Sequence, residues 1–79
     1  MTAAYLQKRS MRISGHRTSL ALEPEFWSVA EMLAQAEHTT LPKLFAEIDA
    51  TKKPAQSLAS AVRCAAIAHL SRQQMRSAA

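Results

Sequence analysis

Hydrophobic positions recur along this chain with two different periods. From Arg17 to Leu22 the order is Arg, Thr, Ser, Leu, Ala, Leu. Thr18, Leu20 and Leu22 therefore fall on one side, and Arg17, Ser19 and Ala21 on the other. A period of two predicts a half-buried β-strand. Met11 and Ile13 extend the alternation upstream, with Gly15 interrupting it as a bend. After Glu23-Pro24 the period becomes helical: Phe26, Val29, Ala30, Leu33 and Ala34 line one stripe, reaching about Glu37. Pro24 suits a first turn, where its missing N–H is no loss, and Glu25 suits the positive end of the helix. Trp27 flanks the stripe and is expected at its edge.

His38-Thr39-Thr40 breaks the stripe. Thr40 is read as an N-cap, with Pro42 tolerated in the turn that follows. Leu41, Leu44, Phe45 and Ile48 then mark a second helix at i, i+3, i+4 and i+7. Lys43 stands where a capping box would carry Glu or Gln, which leaves first-turn N–H groups open to another acceptor. Thr51-Lys52-Lys53-Pro54 reads as a linker. Ser57 then caps an alanine-rich third helix, roughly 58–72, whose apolar side is Leu58, Ala61, Val62, Ala65, Ala66 and Leu70. The expected organisation is a flexible basic arm over 1–10, a core over 11–53, the third helix within 54–72 and a frayed tail over 73–79.

Only one segment reads convincingly as a strand, and a strand alone cannot satisfy its backbone. A chain of 79 residues also has little core of its own. Cys64 is the single cysteine, so no internal disulfide exists; on its alanine-rich helix it is expected to be a small buried hydrophobe. His16, His38 and His69 are scattered without metal-ligand spacing, so neither a metal nor a cofactor is expected. What remains is a second copy. Two identical strands pairing antiparallel about a two-fold axis make a homodimer, with Leu20, Leu22, Phe26, Trp27, Leu33, Leu44, Phe45 and Ile48 as the dimer core.

Charge sharpens this picture. The net charge is +4. Lys8, Arg9, Arg12 and Arg17 precede Leu22 without an acid, whereas all six acids lie between Glu23 and Asp49. Such segregation suits contact with a polyanion. No apolar run approaches the roughly 20 residues that span a bilayer, and the N-terminus lacks the pattern of a signal peptide, so a cytoplasmic, non-membrane protein is expected. No nucleophile motif, Gly-rich loop or carboxylate pair points to an enzyme.

The segment Arg17-Thr-Ser-Leu-Ala-Leu-Glu-Pro-Glu-Phe-Trp27, with Ala34 and Thr40-Leu-Pro-Lys-Leu-Phe-Ala-Glu-Ile48, resembles a ribbon-helix-helix DNA-binding domain. It is similar in particular to a compact bacterial subgroup. That subgroup has a His-Arg-Thr-Ser strand, a Leu-Glu-Pro-Glu-Phe-Trp helix start and an Asn-Leu-Ser-Ser-like opening to a third helix, here Gln56-Ser57-Leu58-Ala59-Ser60. The resemblance covers about residues 8–70. It implies a mainly α fold, one strand pairing across a dimer and two helices, followed by the third helix. It also implies groove-reading positions at Arg17, Ser19 and Ala21, and a phosphate-gripping helix start at Thr40 and Leu41. Ala21 departs from the pattern, since many relatives carry a long polar residue there; alanine touches a thymine methyl but donates no hydrogen bond.

The expected function is a repressor-like homodimer that inserts its β-ribbon into the major groove of double-stranded DNA, with Lys8, Arg9 and Arg12 on phosphates. The alternative is a protein-interaction module, antitoxin-like or an assembly subunit, in which the third helix binds a protein partner or pairs dimers into tetramers.

Overall fold

Ser14 and Gly15 reverse the chain with φ angles of 54° and 82°. Two consecutive positive φ values are the signature of a type I′ turn, whose twist matches that of the strands it joins. The computed structural model, which describes residues 5–78, accordingly opens on a hairpin of β1 (Gln7–Ile13) and β2 (His16–Leu22), paired antiparallel from Ile13↔His16 to Gln7↔Leu22. Three helices follow: α1 (Pro24–Ala36), α2 (Leu41–Thr51) and α3 (Leu58–Ala78). Glycine is at home in the second turn position, but Ser14 is not at home in the first; asparagine tolerates that conformation far better. Ser14→Asn is expected to stabilise the chain by about 0.5–1 kcal/mol, raising Tm by a few degrees in a thermal melt.

The hairpin corrects the sequence expectation in one respect. The ribbon-helix-helix class with an added third helix stands, but β2 finds its partner strand within the same chain rather than in a second copy. Residues 7–10, expected in the arm, belong to β1, and α3 continues through the expected tail to Ala78. Residues 1–4 of the arm and residue 79 of the tail lie outside the described residues.

The core fills the angle between the hairpin's inner face and the helices. Ile13, Leu20, Leu22, Trp27, Ala30, Leu33, Ala34, Leu44, Phe45 and Val62 form one buried cluster, with Phe26 and Ile48 partly buried against it. Six of the eight residues expected in a dimer core are thus buried within one chain, and the other two, Phe26 and Ile48, are partly buried. The physical reason is that β1 and α3 supply walls that the minimal unit of strand and two helices lacks: Ala61, Val62 and Ala66 of α3 are buried. Trp27 sits at the centre of this core rather than at its edge, 1% exposed, its ring 6.0 Å from that of Phe45. On α3 the inward position is His69, not Leu70, which is 40% exposed, and Cys64 is exposed rather than buried.

Local chemistry sets the helix boundaries. Pro24 opens α1. At its other end His38, at φ 55°, closes a Schellman motif: the Thr39 N–H donates to Ala34 O and the His38 N–H to Gln35 O. Thr40 caps α2, accepting from the Lys43 N–H, and Ser57 caps α3, accepting from the Ser60 N–H. Arg63 of α3 reaches back to Glu23 at 2.9 Å, tying the helix to the strand–helix junction. That hydrogen bond holds the Glu23 carboxyl below its ordinary range, and the Tyr5 hydroxyl does the same for Glu25. A carboxyl lowered in the folded state contributes stability at neutral pH that is lost as pH falls through its folded value. Acid unfolding of Glu23→Gln is therefore expected to show a shallower pH dependence than the parent chain, measured by circular dichroism between about pH 6 and pH 2.

Candidate nucleic-acid interface

Residues directly opposite in an antiparallel pair share a face. The register therefore divides the hairpin into two surfaces. Gln7, Arg9, Met11 and Ile13 face inward together with Leu22, Leu20, Thr18 and His16; Lys8, Ser10 and Arg12 face outward together with Ala21, Ser19 and Arg17. Burial follows the same division except at the ends of the inner face, where Gln7 and His16 are exposed. Leu20, Leu22 and Ile13 are buried, whereas Lys8, Ser10, Arg12, Arg17 and Ser19 are largely exposed and Ala21 is partly so.

The outer face has an ordered chemistry. At its centre Ser10 Oγ and Ser19 Oγ lie 2.8 Å apart in a hydrogen bond. One hydroxyl donates to the other, so one O–H of the pair stays free to donate outward. Next towards the turn, Arg12 and Arg17 stand opposite one another. Arg12 donates to Gly15 O at 3.2 Å, which holds its guanidinium over the turn, and a shallow cleft of about 180 Å³ lies between Ser10, Met11, Arg12 and Arg17. At the far end Lys8 faces Ala21. Three cations and two hydroxyls thus share one ribbon surface that carries no acid. Like charges directly opposite cost stability, and an anion placed between them relieves that cost.

The expected site residues are gathered unevenly. Arg17, Ser19 and Ala21 occupy the outer face as expected, joined there by Lys8 and Arg12. Arg9 does not join them. It lies on the inner face, with its guanidinium 4.4 Å from the Trp27 ring centroid and 2.9 Å from Glu31, so its charge is already matched. Ser10 is absent from the sequence expectation; the Ser14-Gly15 turn is the signal that finds it, since it sets the register that puts Ser10 beside Ser19. Thr40 and Leu41 stand at the start of α2, Thr40 exposed and Leu41 partly buried. Pro42 has no N–H, and those of Lys43 and Leu44 are taken by Thr40 Oγ1 and Thr40 O. Among the described residues the Leu41 N–H is therefore the one backbone donor of that first turn without an acceptor.

Among the described residues no group of three or more His, Cys, Asp or Glu side chains could hold a metal ion, and no helix is long and apolar enough to cross a membrane. Comparison with known proteins found no matching curated protein and no matching solved structure. The ribbon-helix-helix domain family, in contrast, matches residues 6–70, from the start of the hairpin through the inward turns of α3. A match over so much of the chain, on a structure with a two-stranded ribbon ahead of helices α1 and α2, places the protein in the ribbon-helix-helix family.

Proposed function

We propose that the protein is a DNA-binding transcriptional regulator whose hairpin lies in the major groove of double-stranded DNA. The observation that carries this is the outer face of the ribbon, with Lys8, Arg12 and Arg17 around the Ser10–Ser19 pair and no acid among them. The dimensions are compatible, because two strands about 4.8 Å apart, with their side chains, enter a groove about 12 Å wide. Arg17 and Ser19 meet base edges, Ala21 meets a thymine methyl, and Lys8 and Arg12 meet phosphates or neighbouring bases. The start of α2, at Thr40 and the free Leu41 N–H, receives a backbone phosphate. Arg9 has no part in the contact.

The active species is a homodimer. β2 pairs with β1 along one edge and carries no strand along the other among the described residues. Pairing of that edge with β2 of a second copy forms a four-stranded sheet and sets two basic hairpins side by side, matching a two-fold operator.

Titration into a fluorescent random-sequence duplex, followed by anisotropy across salt concentrations, tests the proposal. With Lys8 and Arg12 on phosphates, log K is predicted to fall against log salt with a slope of about −1.8 per chain, and Lys8→Ala should make it shallower by about 0.9. Absence of binding at low salt from a folded dimer would overturn it.

A second reading rests on a separate observation. The outward side of α3 exposes Ile67 at 53% and Met75 at 74%, together with Leu70. Apolar residues grouped on a helix suit a protein partner, and a partner of the same kind would make tetramers from dimers. Sedimentation of Ile67→Ser/Met75→Ser beside the parent chain decides between them. A parent tetramer reduced to a dimer supports the contact, and identical species remove it.

A further inference from the structure

The last turns of α3 run past the C-terminal end of α1 and leave a crevice of about 220 Å³ between them, lined by Leu33, Ala36 and Glu37 on one side and His69, Arg72, Gln73 and Arg76 on the other. Spacings of three, four and seven residues put the four α3 side chains on one side of that helix. His69 is 6% exposed, the single buried polar residue among those described, and it makes no hydrogen bond with any of them. No buried side-chain nitrogen or oxygen of the described residues lacks a partner, so the ring nitrogens of His69 keep their accessible surface, and His69 lines the crevice.

Among the described residues neither arginine has an ion-pair partner, although Arg76 stands in the last turn of α3, where a cation is favoured. Glu37 forms no ion pair with Arg72 or Arg76 among the described residues. The carbonyls that end α1 are occupied as well: Leu33 O, Ala34 O and Gln35 O accept from the N–H groups of Glu37, Thr39 and His38. The arginines are therefore not needed to cap that helix. Arg72, Arg76, His69 and Gln73 together line a space opposed by one acid, Glu37, and a small apolar wall of Leu33 and Ala36. Arginine forks match the tetrahedral oxygens of a phosphoryl group, and a dianion balances two of them. The volume is below the roughly 300–1,000 Å³ of sites that enclose drug-sized ligands.

We propose that this crevice binds a small phosphorylated molecule, its phosphoryl group held by Arg72 and Arg76 with His69 and Gln73 donating, and its organic part against Leu33 and Ala36. The site lies outside the hairpin and does not depend on DNA binding. The test is nuclear magnetic resonance of the His69 ring in the full chain, titrated at constant pH and ionic strength with inorganic phosphate and, separately, with glycerol 2-phosphate. The expected result is a saturable shift in the millimolar range, weakened at least about tenfold in Arg72→Gln/Arg76→Gln and retained in Arg12→Gln/Arg17→Gln. Both arginines of the first pair are exposed, so their replacement leaves the core intact. Tighter binding of glycerol 2-phosphate assigns a phosphomonoester as ligand, and equal binding assigns free phosphate. A shift that never saturates, or one unchanged in Arg72→Gln/Arg76→Gln, overturns the proposal.

Discussion

Replacing Arg12 and Arg17 together by alanine is expected to abolish most duplex binding while leaving the fold as stable as before, or slightly more so. A good bidentate base contact is worth about 1–3 kcal/mol. Neighbouring contacts do not add fully, so the lower end, about 2 kcal/mol for the pair, sets the minimum: a loss of roughly 30-fold in affinity. Stability should move the other way. Arg12 and Arg17 are directly paired across the strands, and removing a like-charge cross-strand pair recovers up to about 1 kcal/mol. Anisotropy titration and a thermal melt of the same preparation read the two effects separately. Unchanged affinity with an unchanged melt would remove the hairpin from the interface.

That opposition of signs separates a functional cation from a structural one. Arg9 supplies the contrast. Its guanidinium packs on Trp27 and pairs with Glu31, so its loss would weaken the fold and reach DNA only indirectly. The same strand therefore carries cations of both kinds at adjacent positions, pointing to opposite faces as the pleat requires.

This alternation also explains what is legible in the sequence and what is hidden. β2 is legible because its inward residues, Leu20 and Leu22, are apolar and its outward ones are small or polar. β1 is legible only at Met11 and Ile13, because Arg9 and Gln7 occupy the other inward positions and Gln7-Lys8-Arg9-Ser10 shows no alternation of polarity. Gly15 reads as a bend in the sequence, and only the positive φ values of Ser14 and Gly15 make the two a hairpin turn. With one strand unseen, dimer pairing is the one way left to satisfy the other. The helices are legible because caps and apolar stripes agree: Thr40 and Ser57 act where expected. Sequence and structure part where chemistry and phase disagree. Leucine looks a better inward residue than histidine, yet the phase of α3 turns His69 inward and leaves Leu70 at the margin. The outer-face residues of β2 follow from the strand alone, whereas Ser10 and the pairing of Arg12 with Arg17 need the register.

Trp27 is where the hairpin, the core and the interface are joined, and its replacement is expected to have the largest effect on stability. Trp27→Ala removes a side chain that is 1% exposed and packed beside Phe45, a change that costs about 3–5 kcal/mol in a well-packed core. A domain of this length has a total stability of only about 4–12 kcal/mol, so the variant should be largely unfolded or melt far below the parent. Trp27→Phe isolates one part of that role. It keeps most of the apolar volume but deletes the indole N–H that donates to Gln7 O at 2.8 Å, the bond that fastens the start of β1 to α1. Its expected cost is about 1 kcal/mol, borne mainly by β1, because that strand has no other neighbour in the sheet than β2. Hydrogen exchange should then show faster opening of Gln7–Ser10 with α1 and α2 still protected, and duplex affinity should fall as Lys8 and Ser10 lose their fixed positions on the outer face. Uniform loss of protection in Trp27→Phe would mean that the hairpin and the helices open as one unit, and that the basic face exists only in the fully folded chain.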